Sequence, residues 1–212
     1  MELHYIFDPL CGWCYGAARL VHGLAARLPP EISLRLWPGA LFPAPVVVQA
    51  GMRAHIVEAD QRIHALTGAE FGPAYVARIS DPGRQVTLWS VPVIAAIAAA
   101  PPARALEMLA ALQHAHYVEG RDLSDMATLA RIAAHIGLDA GDFSATLQSP
   151  AHAQATAAWI RDAQALMARA GVGGFPAFLL EREGRLMALD HNAAYQDVEI
   201  LLRQIALLAR AR

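Results

Sequence analysis

The hydrophobic and polar positions at the start of this chain predict a strand, a helix and a second strand. Residues 3–7 form a short, mostly apolar stretch of strand-forming residue types. In residues 11–28 the apolar positions recur at helical spacing, and two consecutive prolines end the pattern. Residues 32–37 alternate between apolar and polar types, as a half-buried strand does. Short links between these elements predict a βαβ unit, whose two strands run parallel.

The long middle segment, residues 43–148, has a helical pattern instead. After an extended stretch of proline and valine it is rich in alanine, with apolar residues at helical spacing. Ser124 is a predicted N-cap, and Gly137 stands where a helix end favours glycine. These features predict a helical block inserted into an α/β chain. The expected helices are residues 54–66, 90–99, 103–117, 124–136 and 141–147.

The last part of the chain returns to strands, with a helix before and after them. Ser149 and Pro150 predict the start of a long helix that Gly171 ends. Residues 177–180 and 185–189 form two short apolar runs, and the polar segment between them suits a hairpin, so this pair should be antiparallel. A final helix is expected to bury one apolar face, made of Val198, Leu201, Leu202, Ile205, Leu208 and Ala209.

This order of elements predicts an α/β fold with a mixed sheet, β-α-β followed by β-β-α, and a large helical insertion. The expected division places residues 1–42 and 149–212 in the α/β domain and residues 43–148 in the inserted helical domain.

Composition excludes several classes of function. The chain has 212 residues, of which 56% are hydrophobic, so it can bury a large core. A net charge of −2 gives no general attraction to nucleic acid or to an anionic membrane, and neither is an expected partner. All 17 basic residues are arginine, which excludes a Schiff-base lysine and a P-loop lysine. The first residues lack the pattern of a signal peptide, so we expect a cytoplasmic protein.

The candidate chemistry lies in the segment Cys11-Gly12-Trp13-Cys14, at the predicted start of the first helix. Amide groups at a helix N-terminus stabilise a thiolate, and Cys-X-X-Cys motifs there bring the cysteine pKa from about 8.5 into the range of roughly 3.5–7.5. Cys14 follows Cys11 by nearly one turn, within reach of a disulfide. Cys11 would attack a substrate disulfide and Cys14 would resolve the mixed disulfide. Gly12 permits close approach of another chain, and Trp13 offers an exposed apolar surface to a partner.

Two other interpretations of the cysteine pair remain open. The pair could form half of a zinc site, but the nine histidines show no pair with zinc-finger spacing, so no metal is expected. The two residues could also be inert core cysteines, which are common but seldom start a helix. The βαβ context favours a redox motif.

A second motif, Gly173-Gly174-Phe175-Pro176, precedes the first strand of the predicted hairpin. Taken by itself, Pro176 is most simply a proline at the entry to a strand, because only about 5–6% of X-Pro bonds are cis.

Together, a strand leading into Cys11-Gly12-Trp13-Cys14 and a Gly-X-Pro motif before a late hairpin resemble the thioredoxin superfamily. The helical insertion resembles its DsbA-like branch, and residues 8–16 resemble cytoplasmic DsbA-family proteins described as protein-disulfide isomerases. The resemblance implies that Pro176 is cis and faces the cysteine pair. It also implies that the backbone of Phe175 hydrogen-bonds a bound peptide or thiol.

The chain departs from the family pattern in two places. Gly12 and Trp13 replace the Pro-His pair of periplasmic DsbA, so strong oxidising character is not carried over. Tyr5 stands where thioredoxin has a buried acidic residue. Asp8 is near the motif and has two open roles, proton transfer or fixing the turn before the helix.

The sequence therefore predicts a thiol–disulfide oxidoreductase or isomerase that acts on protein or peptide disulfides, without a cofactor. Glutathione or a thioredoxin-type protein could supply electrons, and a reducing cytosol favours reduction or isomerisation. Two alternatives are a glutathione-dependent small-molecule isomerase or transferase, which would not need Cys14, and a redox-inert binding or chaperone module. Phe42, Phe71, Tyr75 and Tyr117 either line a groove beside the insertion or pack in the core.

Overall fold

The structure, a computed structural model, describes residues 1–210. Its strands are β1 (Glu2–Phe7), β2 (Ser33–Pro38), β3 (Val46–Val47), β4 (Thr87–Leu88), β5 (Ala177–Arg182) and β6 (Arg185–Ala188). Its α-helices are α1 (Gly12–Gly16), α2 (Ala18–Arg27), α3 (Ala50–Thr67), α4 (Pro73–Ser80), α5 (Ser90–Ala99), α6 (Ala105–Tyr117), α7 (Met126–His135), α8 (Ala140–Gln148), α9 (Pro150–Ala170) and α10 (Val198–Arg210). Short 3₁₀ turns cover Pro102–Arg104 and Asn192–Ala194.

The main sheet is mixed, which confirms the predicted fold class. Its strand order is β2-β1-β5-β6; β1 and β2 are parallel, and the other two pairs are antiparallel. The β5–β6 hairpin closes through Glu183 and Gly184, whose φ angles of 52° and 77° match a two-residue type I′ turn. The strand β1 lies between two others, so its backbone pairs on both edges, and its side chains are buried from Leu3 onward.

Side chains of β1 alternate between two apolar layers, because successive residues of a strand point to opposite faces. Leu3, Tyr5 and Phe7 belong to the larger core cluster, together with residues of α2 and α10. Ile6 packs on the other face with Leu166 of α9. The sheet is thus covered on both faces. The motif that follows β1 lies at the edge of the sheet where β1 ends.

The predicted helix over residues 11–28 is wrong in one respect, since the structure divides it into α1 and α2. The division falls at Ala17, where ψ is −4° instead of the usual helical value of about −42°. It lies beside Gly16, where an added Cβ would be 2.7 Å from a methyl carbon of Ile63 and 3.1 Å from Thr67. The close packing of α3 on this turn is a tertiary contact. The spacing of apolar residues along the chain therefore could not predict the break in the helix.

Within the insertion, the predicted helices are present, with ends shifted by a few residues. Ser124 is not the N-cap of α7; that position belongs to Asp125, whose carboxylate accepts hydrogen bonds from the amides of Ala127 and Thr128. The sequence prediction missed α4, because Gly72 and Pro73 are typical of a loop although proline is also favoured in a first helical turn. It also missed the two-residue pairing of β3 with β4.

The helix α9 joins the two parts of the chain, since it packs against β2 and also against α5 and α8 of the insertion. The division at residues 42 and 148 stays a prediction. Among the helices of the described residues, none combines the length and the hydropathy needed to cross a bilayer.

Candidate active site

Cys11 and Cys14 lie where β1 passes into α1. The amide of Cys11 donates to the carbonyl oxygen of Asp8 at 3.2 Å, which closes the turn after the strand. Cys11 occupies the N-cap position of α1, and its side chain makes no capping hydrogen bond, so the sulfur is left for other chemistry. Both cysteines are free thiols, with Cys11 7% exposed and Cys14 fully buried. Cys11 is therefore the outer thiol of the pair.

Cys14 is held by the strand end beneath it. The amide of Asp8 donates to Cys14 Sγ at 3.4 Å, and the hydroxyl of Tyr5 donates to the Cys14 carbonyl oxygen at 3.4 Å. Burial raises the pKa of the Cys14 thiol well above its usual value, and a hydrogen bond with Cys11 and the charge of Cys11 raise it further. Cys14 is thus protonated at neutral pH as long as Cys11 is a free thiol or thiolate.

The peptide bond between Phe175 and Pro176 is cis, which confirms what the family resemblance implies. Cys11 Sγ lies 3.8 Å from the carbonyl oxygen of Phe175, to which its thiol donates. The sheet causes this approach: β5 is the neighbour of β1, and Ile6 is paired with Ala177, so the residues just outside both strands meet at one end.

Phe175 packs against the loop that follows β2. An added Cβ at Gly39 would lie 2.1 Å from the ring of Phe175, which only glycine avoids. The same added Cβ would lie 3.2 Å from the sulfur of Met167. The residue before the cis proline is therefore positioned by tertiary packing as well as by its own strand.

Gly12 and Trp13 both lie partly buried between the cysteines. The ring of Trp13 lies 6.2 Å from that of Tyr195, and the apolar surface that Trp13 would offer to a partner stays a prediction. Gly12 does permit a close approach, but the approaching chain is the helix α3. A Cβ at Gly12 would lie 2.9 Å from Ile63 and 3.2 Å from Asp60 Oδ1.

Two cavities adjoin the cysteine motif, and Trp13 lines both of them. The cis-proline cavity, of about 470 Å³, is bounded by residues 172–178, Trp13, Ala188, Leu189, His191, Asn192 and Tyr195. The insert cavity, of about 300 Å³, lies between Cys11 and the helical insertion. Of the four aromatic residues considered for a groove, the ones that line the insert cavity are Phe42, Tyr75 and Tyr117. Phe71 instead packs edge-on against the rings of Tyr15 and Tyr117.

Asp8 is fully buried and fixes the turn before α1. Its carboxylate accepts hydrogen bonds from the amides of Leu10 at 2.8 Å and Leu41 at 2.7 Å. Burial raises the pKa of Asp8 to about 6, although hydrogen bonds from Ser90, Leu41 and Leu10 oppose that rise. The turn-fixing role is thus confirmed, while proton transfer by Asp8 stays a prediction.

We expect Asp8 to make the protein less stable as the pH rises. A carboxyl whose pKa is higher in the folded state stabilises the fold at low pH, and this contribution disappears as the pH rises through about 6. The change from 3.8 to about 6 corresponds to about 3 kcal/mol over the whole titration. Asp8→Asn should therefore flatten the dependence of the unfolding free energy on pH, measured by chemical denaturation between pH 4 and 7.

The matched control is Asp81→Asn, because Asp81 is exposed and makes a similar turn with the amide of Gly83. It should keep the wild-type pH dependence. Equal slopes for wild type and Asp8→Asn would contradict the assignment, whatever the absolute stability of the variant.

A cluster of Glu2, His4 and Glu181 brings three potential metal ligands within 4.8 Å of one another. The hydrogen bonds of His4 disfavour a metal at this cluster. Trp37 donates its indole N–H to His4 Nδ1 at 2.7 Å, so the ring proton of a neutral His4 is on Nε2, which donates to Glu181 at 2.8 Å. A metal bound to Nε2 would require the ring proton to lie on Nδ1. That proton would then face the indole N–H of Trp37, and the hydrogen bond between Trp37 and His4 would be lost.

Several residues of the two cavities were not expected to form part of the site. Asp60 and His116 line the insert cavity, and His191 and Tyr195 line the cis-proline cavity. These residues come from three separate segments without a local motif, so no sequence signal pointed to them.

Comparison with known proteins agrees with this geometry. The family model described as DSBA-like thioredoxin domain matches residues 2–206. The cytosolic disulfide reductase DsbM from Pseudomonas aeruginosa is 35% identical, with a TM-score of 0.83 over 99% of both chains. A second structure of that protein, with GSH, is 34% identical, with a TM-score of 0.82 over 100% of both chains.

More distant structures show the fold alone. A structure from Nitrosomonas europaea is 22% identical, with a TM-score of 0.80 over 99% of this chain and 98% of that chain. A 2-hydroxychromene-2-carboxylate isomerase is 16% identical, with a TM-score of 0.62 over 99% of this chain and 97% of that chain. No curated protein sequence matches the chain.

Proposed function

This chain belongs to the family of DSBA-like thioredoxin domains, and we propose that it is a thiol–disulfide oxidoreductase that reduces or isomerises protein or peptide disulfides. One observation carries the proposal. The outer thiol of a buried cysteine pair, Cys11, lies 3.8 Å from the Phe175 carbonyl oxygen that precedes a cis proline. This arrangement presents a nucleophilic sulfur beside a backbone group that an extended substrate can approach.

The first step is attack by Cys11. Its thiolate forms a bond to one sulfur of the substrate disulfide, the substrate S–S bond breaks, and the electron pair leaves on the second sulfur, which takes up a proton. Cys11 is the N-cap residue of α1 and makes no capping hydrogen bond, so its sulfur is available for this attack. Trp13, Phe175 and Pro176 line the cis-proline cavity, so they are the proposed contacts for a bound peptide, next to Gly12.

The second step is resolution by Cys14. Before the first step, the hydrogen bond with Cys11 and the charge of Cys11 both raise the pKa of Cys14. Once Cys11 is part of a mixed disulfide, its sulfur carries no charge and no proton, so both of these causes disappear. Cys14 then deprotonates more readily and attacks Cys11 Sγ, which releases the reduced substrate and leaves a Cys11–Cys14 disulfide. Asp8, with a pKa of about 6, is ionised at neutral pH and is the proposed acceptor of this proton.

The proposed direction is reduction, with glutathione as the source of electrons. The 35% identical Pseudomonas aeruginosa protein is described as a cytosolic disulfide reductase, and one structure of it was determined with GSH. Gly12 and Trp13, which stand between the cysteines, place no cation beside Cys11. A cytoplasmic location fits this direction, because the cytosol keeps such pairs largely reduced.

Two alternatives give different results with cysteine variants. A glutathione-dependent small-molecule isomerase or transferase would keep its activity when Cys14 is replaced, and a binding or chaperone module would keep its partners when both cysteines are replaced. Cys14, fully buried and bonded to the amide of Asp8, is placed to resolve a disulfide on Cys11, and this favours the dithiol mechanism.

The proposal is tested by equilibrating the protein in graded glutathione redox buffers at pH 7 and measuring the Cys11–Cys14 disulfide by thiol-trapping mass spectrometry. We expect a single two-electron transition nearer to about −270 mV, as for thioredoxin, than to about −120 mV, as for DsbA. A midpoint near −120 mV would contradict the reducing direction. A stable glutathione adduct on Cys11 without an intramolecular disulfide would contradict the dithiol mechanism.

A further inference from the structure

We propose that the insert cavity binds the apolar half of a small mixed disulfide, formed by glutathione and a low-molecular-weight thiol that carries one hydrogen-bond donor. This inference rests on the proposed function, because it assigns a substrate class to the same Cys11. The cavity and the cis-proline cavity share Trp13, and Cys11 lines the first while its sulfur contacts Phe175 in the second. Cys11 therefore stands between two separate places for the two halves of a disulfide.

The size and the walls of the insert cavity suit a small apolar group. Its volume of about 300 Å³ lies at the lower end of the range for small-molecule sites, roughly 300–1,000 Å³. Most of the side chains around it are apolar, so binding there removes apolar ligand surface from water. The apolar part of the wall includes Leu10, Phe42, Met52, Ile56, Ile63 and Leu88.

His116 supplies a polar atom that has no partner within the protein. The side chain lines the cavity and is only 4% exposed, yet its Nδ1 has no hydrogen-bond partner among residues 1–210. A hydrogen bond with the backbone of Arg121 uses the other ring nitrogen. Burial, together with the charge of Arg78, lowers the pKa of His116 to about 3, so the ring is neutral. Nδ1 is then an acceptor, and a buried acceptor without a donor is costly.

Asp60 and Tyr75 form the second polar part of the cavity, close to the cysteine motif. The hydroxyl of Tyr75 donates to Asp60 Oδ2 at 2.9 Å. A Cβ added to Gly12 would lie 3.2 Å from Asp60 Oδ1. The carboxyl group therefore lies beside the first residue of α1. An apolar thiol that leaves the glutathionyl sulfur on this side of Cys11 meets the carboxyl group of Asp60, whose pKa burial raises to about 6.

The chemistry uses the steps already proposed. The Cys11 thiolate attacks the glutathionyl sulfur, the mixed S–S bond breaks, and the apolar thiol leaves with the electron pair and takes up a proton. Cys14 then attacks Cys11 Sγ and releases glutathione. Two further glutathione molecules reduce the Cys11–Cys14 disulfide and form one glutathione disulfide, so the electrons balance.

The test compares two synthetic mixed disulfides of glutathione, one with methanethiol and one with benzyl mercaptan. Each kcat/KM is divided by the rate of the same disulfide with free dithiothreitol, which removes differences in leaving-group acidity. We expect the benzyl compound to be preferred at least about tenfold, because its ring enters the cavity. The 4-hydroxybenzyl compound should be better again by about fivefold, since its hydroxyl donates to His116.

Variants of one helix provide the matched control. Ala59→Phe fills the cavity and should reduce the benzyl preference to about one, whereas Ala54→Phe, on an exposed position of the same α3, should keep it. Equal normalised rates for the methyl and benzyl compounds in wild type would overturn the inference, even if Ala59→Phe does not fold. A 4-hydroxybenzyl compound no better than the benzyl one would overturn the role of His116. Failure to reduce both compounds and an insulin-type protein disulfide in the same assay would instead overturn the proposed function.

Discussion

Cys11→Ser should lower the rate of disulfide reduction by at least about a thousandfold, because a serine hydroxyl is hardly ionised near neutral pH and cannot form a disulfide. The loss should appear in kcat/KM for every disulfide substrate, since Cys11 forms the first bond in each case. The measurement is the initial rate of reduction of an insulin-type protein disulfide and of a glutathione mixed disulfide, with glutathione as the reductant.

The fold should tolerate this change. Cys11 Sγ makes a long contact, at 3.8 Å, with the Phe175 carbonyl oxygen and a hydrogen bond with Cys14, and a serine hydroxyl can form both. Unchanged circular dichroism and melting temperature would therefore attribute the loss to the nucleophile. More than a tenth of the wild-type rate in the serine variant would exclude Cys11 as the attacking group.

Cys14→Ala should convert the protein into a trap for its own substrates. Within the folded chain, Cys14 attacks Cys11 at an effective concentration far above that of external thiols, which reaches about 10⁵ M or more for well-oriented groups. Without it, a mixed disulfide on Cys11 waits for a millimolar thiol from solution. We expect covalent complexes to accumulate and multiple-turnover rates on protein disulfides to fall about a hundredfold or more.

The complexes are measured by non-reducing electrophoresis and mass spectrometry after rapid acid quenching, and the control is Cys11→Ser combined with Cys14→Ala. The double variant should trap nothing. Trapped proteins would identify protein disulfides as substrates, whereas trapped glutathione alone would favour the small-molecule alternative. Full turnover by Cys14→Ala would exclude its role as the resolving cysteine.

The strands of the main sheet, most helices and the cysteine motif could be predicted from the sequence because their signals are local. An apolar run of strand-forming residues identified β1, alternation identified β2, and the polar turn before Arg185 identified the β5–β6 hairpin. Gly137 and Gly171 stand at helix ends with φ angles of 82° and 67°. The wrong predictions fall where tertiary contacts override local signals, as at the break in the first helix, where α3 packs on Gly16.

The chemistry of the pair was also predictable in outline. A Cys-X-X-Cys directly after a strand determines that an outer and an inner thiol lie near a helix start. It does not determine which groups surround them. The burial of Cys14 and its hydrogen bond from the Asp8 amide depend on the end of β1 beneath it.

The sequence by itself determined the order of the elements, the mixed sheet and the two cysteines, because each depends on residues close together along the chain. Only the tertiary structure decided what faces those cysteines. Phe175 reaches Cys11, 164 residues earlier, because β5 pairs with β1 in a particular register. His116 and Asp60 line the same cavity as Cys11 only through the packing of the insertion. Such contacts arise when distant elements bury a shared apolar surface, and no local pattern specifies them.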